Sequence, residues 1–386
     1  MTHSNNGIKR VIFISRIVGA LGGVTQAVDT LAEEFERRGM SIEHLSRGVP
    51  NPYHRFAHHS ITHIDEGIKK TLHNPLAREH KGPLGLKYLA KAIYTPVWDY
   101  QYRQKLRSLF ASYDSSCLVI ITDSMTAHAV LPAISHRKKQ PNPPHFAFAF
   151  HNAFVSDAHD MVKEIIPEIL TEVDDFIALS DEDARLFSQE YSYPVRAISN
   201  GIAPSGEDLD HKNPHSLVAI TRFSYEKNVD VIIRAFHAVS PDFPEWTLDI
   251  YGEGDTKESM VELVESLGVQ NCRIHDSISR EEVQKVLANS SLGIMASSFE
   301  GLPMFILESM VAAVPIISSP SSPAVIDLIG RYGYLAKSAS VEDITEQLRI
   351  ALANNQEREA KARASLQGSQ EFSPEAIAQK WLDLKR

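Results

Sequence analysis

The stretch SLVAITRFSYEKNVDVIIRAF, residues 216–236, contains the pattern that decides the fold. It begins with a continuous apolar run, passes through a charged loop and continues with a helical pattern. A strand that is apolar throughout, without alternation, is typical of a parallel sheet covered on both faces. The stretch therefore predicts one strand–loop–helix unit of an α/β domain.

Apolar runs of this kind recur along the chain and alternate with helical patterns, which predicts parallel sheets in both halves. In such sheets, ligands bind beyond the carboxyl ends of the strands. The predicted strands are RVIFIS, CLVIIT, HFAFAF and DFIALS in the first half, and SLVAIT, TLDIYG, SLGIMA and VPIISS in the second.

The length of the chain predicts two domains, because 386 residues exceed the usual size of one hydrophobic core. The stretch NGIAPSGEDLDHKNPHS between the halves is rich in Gly, Pro, Asn and Asp, as linkers are. We predict two doubly wound, Rossmann-like α/β domains that face each other across a cleft. The first covers residues 1–205, the second covers 206–370, and an amphipathic helix follows over 371–386.

Composition and charge narrow the possible functions. A net charge of −10 argues against bulk nucleic-acid binding, so we expect no nucleic-acid partner. The two cysteines, Cys117 and Cys272, lie far apart in the sequence, which favours a reducing cytosol. No apolar stretch approaches the roughly 20 residues needed to span a bilayer. We therefore expect a cytoplasmic protein that is soluble or peripheral to the membrane.

The segment over residues 67–107 interrupts the α/β alternation. In one interpretation it is a helical insertion that binds an anionic acceptor or the headgroups of the inner membrane face. In the other it is a solvated helical pair whose aromatic side chains pack on the first domain. Its basic and aromatic residues are Lys69, Lys70, Arg78, Lys81, Lys87, Lys91, Arg103, Lys105 and Arg107, with Tyr88, Tyr94, Trp98, Tyr100 and Tyr102.

Two cations follow the first strand of the second half. Arg222 and Lys227 stand at its carboxyl end, where Arg can bind phosphate oxygens bidentately and Lys supplies a compact charge. They suit a diphosphate, although two solvated loop cations would look the same. After the next strand, Gly252 permits either a close backbone approach to a ligand or a tight turn.

The stretch SSFEGLPMFILESM, residues 297–310, places Glu300 and Glu308 in an apolar setting that normally excludes carboxylates unless they are paired. We predict Pro303 as the first residue of a helix, so that the N–H groups of Met304 and Phe305 form an anion site. Glu308 could then accept hydrogen bonds from a ribose while Glu300 faces a reacting sugar. The alternative is two partly exposed glutamates.

These stretches, TRFSYEKNVDVIIRAF, LDIYGEGD, SSFEGLPMFILESM and VPIISS in this order, resemble the signature of retaining GT-B glycosyltransferases of the glycosyl transferases group 1 family, of the family 4 type. The resemblance is strong over about 217–333. In the first half it rests on LGGVTQAVDTLAEEFERRG, FAFHNAF and ISNGI. It implies a GT-B fold in which the C-terminal helix crosses back to the first domain.

The same resemblance implies transfer of a hexose-type sugar from a nucleotide-diphosphate sugar to a hydroxyl acceptor, with retention and without a cofactor. UDP is the expected nucleotide from its frequency in the family, and a cell-envelope glycan, polymer or lipid-linked sugar is the expected acceptor. The implied catalytic residues are Glu300, His151, Arg222 and Lys227. The implied donor-binding residues are Glu308, Arg222, Lys227, Gly22, Gly23, Met304, Phe305 and Gly252.

The sequence departs from the family pattern in three places that bear on the donor sugar. Thr221-Arg222-Phe223 stands where the family commonly has G-R-L, AAVPI with Val314 stands where a small-Gly-x-Pro turn is common, and SSPSSPAVIDL replaces a glycine-rich turn. A catalytically silent homologue that binds a glycan or assists a partner enzyme therefore remains an alternative. A nicotinamide-dependent oxidoreductase is disfavoured, because the loop over residues 19–23 lacks G-x-G-x-x-G.

The stretch SDEDARLF contains the D-x-D pattern of metal-dependent glycosyltransferases at Asp181 and Asp183. Ser180 followed by Asp183 is also a helix-start pattern, and acidic residues are favourable in a first helical turn. We interpret the stretch as a helix cap and expect no metal.

Overall fold

The computed structural model describes residues 7–18, 22–49, 59–64, 100–154, 156, 160, 162–209 and 212–385. These residues form two parallel sheets, one in each half of the chain, which confirms the predicted α/β class. The first sheet contains β1 (Arg10–Ser15), β2 (Ser41–Ser46), β3 (Ser60–His63), β4 (Cys117–Ile121), β5 (His145–Ala149), β6 (Asp175–Ala178) and β7 (Val195–Ala197). The second contains β8 (Ser216–Ile220), β9 (Thr247–Tyr251), β10 (Cys272–His275), β11 (Leu292–Met295), β12 (Ile316–Ser318) and β13 (Tyr334–Leu335).

Helices cover both faces of each sheet. In the first half they are α1 (Gly23–Arg37), α2 (Ser124–Lys138), α3 (Ile166–Glu172) and α4 (Asp181–Tyr191), and residues 100–110 are also helical. In the second half they are α5 (Val229–Val239), α6 (Lys257–Leu267), α7 (Arg280–Ala288), α8 (Met304–Val311), α9 (Pro323–Tyr332), α10 (Val341–Ala353), α11 (Asn355–Gly368) and α12 (Pro374–Leu382). Short 3-10 helices cover Tyr225–Lys227, Ser369–Phe372 and Asp383–Lys385.

The strand order places a ligand crevice in each sheet. The orders are β3-β2-β1-β4-β5-β6-β7 and β10-β9-β8-β11-β12-β13, and all pairs are parallel. Each order reverses direction next to the first strand of its sheet. Crevices at such reversals bind ligands in doubly wound folds. The reversals lie between β1 and β4 and between β8 and β11.

Continuous apolar strands are explained by burial on both faces. In β1, Ile12 and Ile14 join the apolar core on one face of the sheet, and Val11 and Phe13 join the core on the other. All four side chains are fully buried. A two-sided core leaves no solvent-facing position for polar alternation, which is the pattern that the sequence shows.

The C-terminal helix α12 packs on the first domain although it follows the second in the chain. Trp381 and Leu382 lie in the same core as Phe13 and Phe35 of the first domain. The Arg38 Nη2 donates to the Glu375 carbonyl at 2.7 Å. The chain therefore links its two halves twice, once through the linker and once through α12.

The proposed insertion over 67–107 falls outside the described residues up to position 99. Its last part, 100–107, is helical, and Tyr102 and Leu106 are buried in the first-domain core. No helix in the described part of the chain combines the length and apolar composition that crossing a membrane requires.

Candidate active site

Two helix N-termini meet where the domains face each other. A Cβ atom added to Gly23, the first residue of α1, would lie 3.1 Å from Cγ of Met304, the first residue of α8. Neither helix has a side-chain cap or an acidic residue in its first turn. The first N–H groups of a helix lack partners within it and favour anions. The two termini thus create an electropositive region in the cleft.

The backbone before each helix explains how the chain enters this region. Gly22 has a φ of 140°, in the region that favours glycine, and acts as N-cap of α1. Pro303 is predicted to be the first helical residue, and this prediction is wrong by one position. Pro303 has an extended ψ of 130° and is the N-cap, so Met304 and Phe305 supply the first helical N–H groups.

Glu308 lies on α8 and is buried, with 6% of its surface exposed. Its Oε1 accepts a hydrogen bond of 2.6 Å from Nε2 of Gln26, which belongs to α1 of the first domain. Burial raises the pKa of Glu308, while the Gln26 hydrogen bond and the charge of Arg280 counter that rise. Glu308 is therefore a buried hydrogen-bond acceptor, and the donor that it contacts, Gln26, belongs to the opposite domain.

Lys227 and Glu300 form an ion pair of 2.6 Å, and their side chains are 14% and 13% exposed. They follow β8 and β11, the two strands that flank the reversal of the second sheet. The Glu300 N–H donates to the Ser321 carbonyl at 3.0 Å, which fixes its loop. A cation and a carboxylate thus meet where the fold places its ligand.

Arg222 is less enclosed than the Lys227–Glu300 pair, whereas Gly252 is buried. The Arg222 side chain is 77% exposed and lies 3.6 Å from Glu226. A Cβ atom on Gly252 would lie 1.8 Å from the Thr221 carbonyl oxygen, so the glycine lets two loops pack together. This geometry accounts for Gly252 as a turn residue, and its role in donor binding stays a prediction.

His151 follows β5 and faces the Glu300 loop across the cleft. A Cβ atom on Gly301 would lie 2.4 Å from the His151 carbonyl oxygen. The His151 Nδ1 is buried without a hydrogen-bond partner among the described residues. Burial lowers the pKa of His151 to about 4, and a hydrogen bond to the Asn200 side chain partly opposes this shift. The imidazole is therefore neutral at physiological pH.

The D-x-D stretch forms a helix start, which confirms the capping interpretation. The Ser180 Oγ accepts a hydrogen bond from the Asp183 N–H at 3.1 Å, and α4 begins at Asp181. The Asp183 carboxylate in turn accepts from the Phe154 N–H at 2.9 Å. Among the described residues, no group of three or more His, Cys, Asp or Glu side chains is placed to hold a metal ion. The expectation of no metal stays a prediction.

Sequence reasoning did not single out several residues of the cleft. Gln26 lies within the glycine-loop stretch, and Asn200 lies within ISNGI and donates from Nδ2 to the Leu302 carbonyl at 3.5 Å. Arg280 Nη2 contacts Thr30 Oγ1 at 3.2 Å across the domains. These contacts join residues more than 100 positions apart, so no local pattern indicates them.

Residues 207–367 match the family model described as Glycosyl transferases group 1. The second domain belongs to this family. An uncharacterized glycosyltransferase of Haemophilus influenzae is 21% identical over 384 residues, covering 97% of this chain and 99% of its own length. The amylovoran biosynthesis glycosyltransferase AmsD of Erwinia amylovora is 28% identical over 216 residues, covering 54% of this chain and 61% of its own length.

Compared by fold, nearly the whole chain, and not only this domain, is similar to solved structures. A mutant of S. aureus TarM, in complex with fondaparinux, alpha-GlcNAc-glycerol and UDP, has a TM-score of 0.74 at 13% identity. The alignment covers 98% of this chain and all of that one. The expected GT-B arrangement of two Rossmann-like domains is therefore confirmed.

Proposed function

We propose that the chain is a retaining, metal-independent glycosyltransferase that transfers a hexose-type sugar from a UDP-sugar to a hydroxyl acceptor. The observation that carries the proposal is the Lys227–Glu300 pair, which lies at the strand reversal of a group 1 glycosyltransferase domain. The N-terminus of α8 and the buried Glu308 lie on the same segment that follows β11.

The charges suit the breaking of a sugar–phosphate bond. Positive charge develops at the anomeric carbon and negative charge on the leaving diphosphate. Lys227 and the N–H groups of Met304 and Phe305 would stabilise the diphosphate, and losing one such donor typically costs about 3–4 kcal/mol. Arg222 stands in the loop after β8, and its exposed guanidinium, now 3.6 Å from Glu226, would turn toward the phosphates. Gly22 and Gly23, which lack side chains, would let the backbone of the first domain approach the phosphates closely.

The two glutamates take different parts in this proposal. Glu308 would accept hydrogen bonds from the ribose hydroxyls, and Glu300 would contact the donor sugar next to His151. A neutral His151 can donate or accept a hydrogen bond without adding charge. No protein nucleophile is assigned, so the leaving phosphate would take the proton of the acceptor hydroxyl on the face from which it departs. That geometry retains the anomeric configuration.

The relatives support UDP and an envelope acceptor. The TarM complex contains UDP together with alpha-GlcNAc-glycerol, and AmsD is named as a glycosyltransferase of amylovoran biosynthesis. We propose a glycan, polymer or lipid-linked acceptor that is modified in the cytoplasm, by an enzyme that is soluble or peripheral at the inner membrane face. The silent-homologue alternative is not favoured, because Lys227, Glu300 and Glu308 are all present and enclosed.

The test is release of UDP from UDP-glucose, UDP-galactose and UDP-N-acetylglucosamine, with and without a panel of envelope glycans. We expect one donor to be consumed, and an NMR spectrum of the product to show an alpha linkage. Glu346→Ala is a matched control, because Glu346 belongs to an exposed ion pair with Lys337 and should leave turnover unchanged. A protein that binds UDP yet releases none from any donor would favour the silent homologue.

A further inference from the structure

The loop after β12 contains a buried hydroxyl with no partner. Ser321 is 5% exposed, and its Oγ is fully buried without a hydrogen-bond partner in the described part of the chain. Buried side-chain polar atoms in native proteins are mostly paired, and each exception calls for an explanation. The loop belongs to SSPSSPAVIDL, one of the stretches that depart from the family pattern.

The other serines of this loop differ from Ser321. The Ser318 Oγ donates to the Ser319 carbonyl at 2.8 Å, and the Ser319 Oγ donates to the Ser297 carbonyl at 2.7 Å. The Ser322 Oγ donates to the Gly301 carbonyl at 2.7 Å. Three of the four hydroxyls therefore hold the backbone in place. The fourth, that of Ser321, forms no hydrogen bond with the part of the chain that the structure describes.

Backbone hydrogen bonds fix Ser321 directly against the candidate site. Its carbonyl accepts from the Glu300 N–H at 3.0 Å, and its own N–H donates to the Ser319 carbonyl at 3.0 Å. The bond from Ser322 to Gly301 ties the two loops together a second time. Ser321 thus stands beside the glutamate that the proposed function places at the donor sugar.

We infer that the Ser321 hydroxyl binds a ring hydroxyl of the donor hexose and so helps to select the sugar. The inference rests on the proposed function and deepens it. A serine hydroxyl can donate one hydrogen bond and accept others, which suits a sugar hydroxyl. A site that forms a hydrogen bond with a substrate hydroxyl strongly rejects analogues that lack it, because its own buried group is then unpaired.

The variant Ser321→Ala tests the inference with UDP release as readout. The donors are the best UDP-hexose and its 3-deoxy, 4-deoxy and 6-deoxy analogues. We expect kcat/KM for the parent donor to fall roughly 10- to 100-fold, the range of one buried hydrogen bond to a substrate. One deoxy analogue should be used equally well by both proteins, because the hydroxyl that Ser321 binds is missing from it.

Thermal unfolding separates this role from a structural one. Ser321→Ala removes no hydrogen bond from the described structure, so the Tm without ligand should stay the same or rise. Ser319→Ala is the matched control, since it removes the bond to the Ser297 carbonyl. It should lower the Tm and leave the relative use of the deoxy donors unchanged.

Two results would overturn the inference while leaving the proposed function intact. One is a Ser321→Ala enzyme that loses the same factor with the parent and every deoxy donor, or loses nothing. The other is a clear fall in its ligand-free Tm. Failure of the wild-type protein to bind UDP or to use any donor would instead overturn the proposed function, and this inference with it.

Discussion

At the scale of single residues, the two glutamates of the site differ in what compensates their charge. Glu300 faces the ammonium of Lys227 at 2.6 Å. Glu308 has the neutral amide of Gln26 at the same distance and a less direct influence of Arg280. Substitutions of the two residues should therefore have different consequences.

Glu300→Ala should lower kcat far more than it weakens donor binding, because its proposed contact is at the reacting sugar. Lys227 remains to hold the diphosphate, so UDP affinity should change less than about threefold. Steady-state kinetics and calorimetry of UDP binding separate the two effects. Equal losses in kcat and in UDP affinity would contradict the assignment of Glu300 to the sugar.

His151 should make the folded state less stable as the pH falls. Its pKa in the folded protein is about 4, below the ordinary 6.5. The unfolded chain therefore takes up a proton below about pH 6.5, whereas the folded chain does so only near pH 4. Stability is lost as the pH falls through that window and is unaffected above it.

Urea unfolding of the wild type and of His151→Gln at pH 7.5 and pH 5 measures this effect. Between pH 7.5 and pH 5, the wild type should lose more unfolding free energy than the variant, which has no His151 to protonate. A difference that stays constant between the two pH values would show that His151 titrates normally in the folded state.

The sequence predicts only those site residues that lie at recognisable positions of the family motifs. Lys227, Glu300 and Glu308 stand in stretches whose order carries the family resemblance. Gln26 lies in a stretch that carries the resemblance and Ser321 in one that departs from it, but neither residue is singled out by the pattern. Their importance comes from contacts and burial that only the folded chain creates. Arg222 is predicted from its motif position, but that position does not predict that its side chain is 77% exposed.

At the scale of elements, the turn after β9 depends on glycine. Gly252→Ala would place a Cβ atom 1.8 Å from the Thr221 carbonyl oxygen and is expected to lower the unfolding free energy by roughly 2–5 kcal/mol, through overpacking and backbone strain. Gly330→Ala is the control, because Gly330 lies inside α9 and nothing lies within 4 Å of its added Cβ.

Urea denaturation measures both variants. The Gly330→Ala protein should be stabilised by about 0.5–1 kcal/mol, the usual gain from alanine inside a helix. A Gly252→Ala protein with wild-type stability and weakened UDP binding would instead show that this glycine serves the ligand.

The elements that the sequence predicts are the strands buried on both faces. All eight predicted strands are present, whereas β2, β3, β7, β10 and β13 were not predicted. Of these, β3, β7, β10 and β13 are the outermost strands of their sheets. Strands such as SIEHLS and CRIH mix polar and apolar residues and are short, so their apolar pattern is weak.

At the scale of the whole molecule, a polar seam joins the domains beside the site. It includes the Gln26–Glu308 hydrogen bond, the Arg280–Thr30 contact and the hydrogen bond from Asn200 to the Leu302 carbonyl. A buried carboxylate without a hydrogen bond is costly, so Gln26 stabilises the closed arrangement when no ribose is bound. Domains of one chain move relative to each other by default unless their interface is large and hydrophobic.

Gln26→Ala should therefore open the ligand-free molecule. Small-angle X-ray scattering should show a larger radius of gyration than for the wild type, and saturating UDP should reduce the difference. Thr30→Val is the control that removes the Arg280–Thr30 contact and leaves Glu308 paired, so its effect should be smaller. An unchanged radius for Gln26→Ala would mean that the seam does not hold the domains together.

Calorimetric binding of UDP to the wild type and to Glu308→Ala tests the central claim most directly. The wild type should bind UDP in preference to GDP and ADP. The variant should bind it roughly 10- to 100-fold more weakly, as expected for lost hydrogen bonds between the ribose and a charged acceptor. Wild-type UDP affinity in a folded Glu308→Ala protein would contradict the assigned donor site.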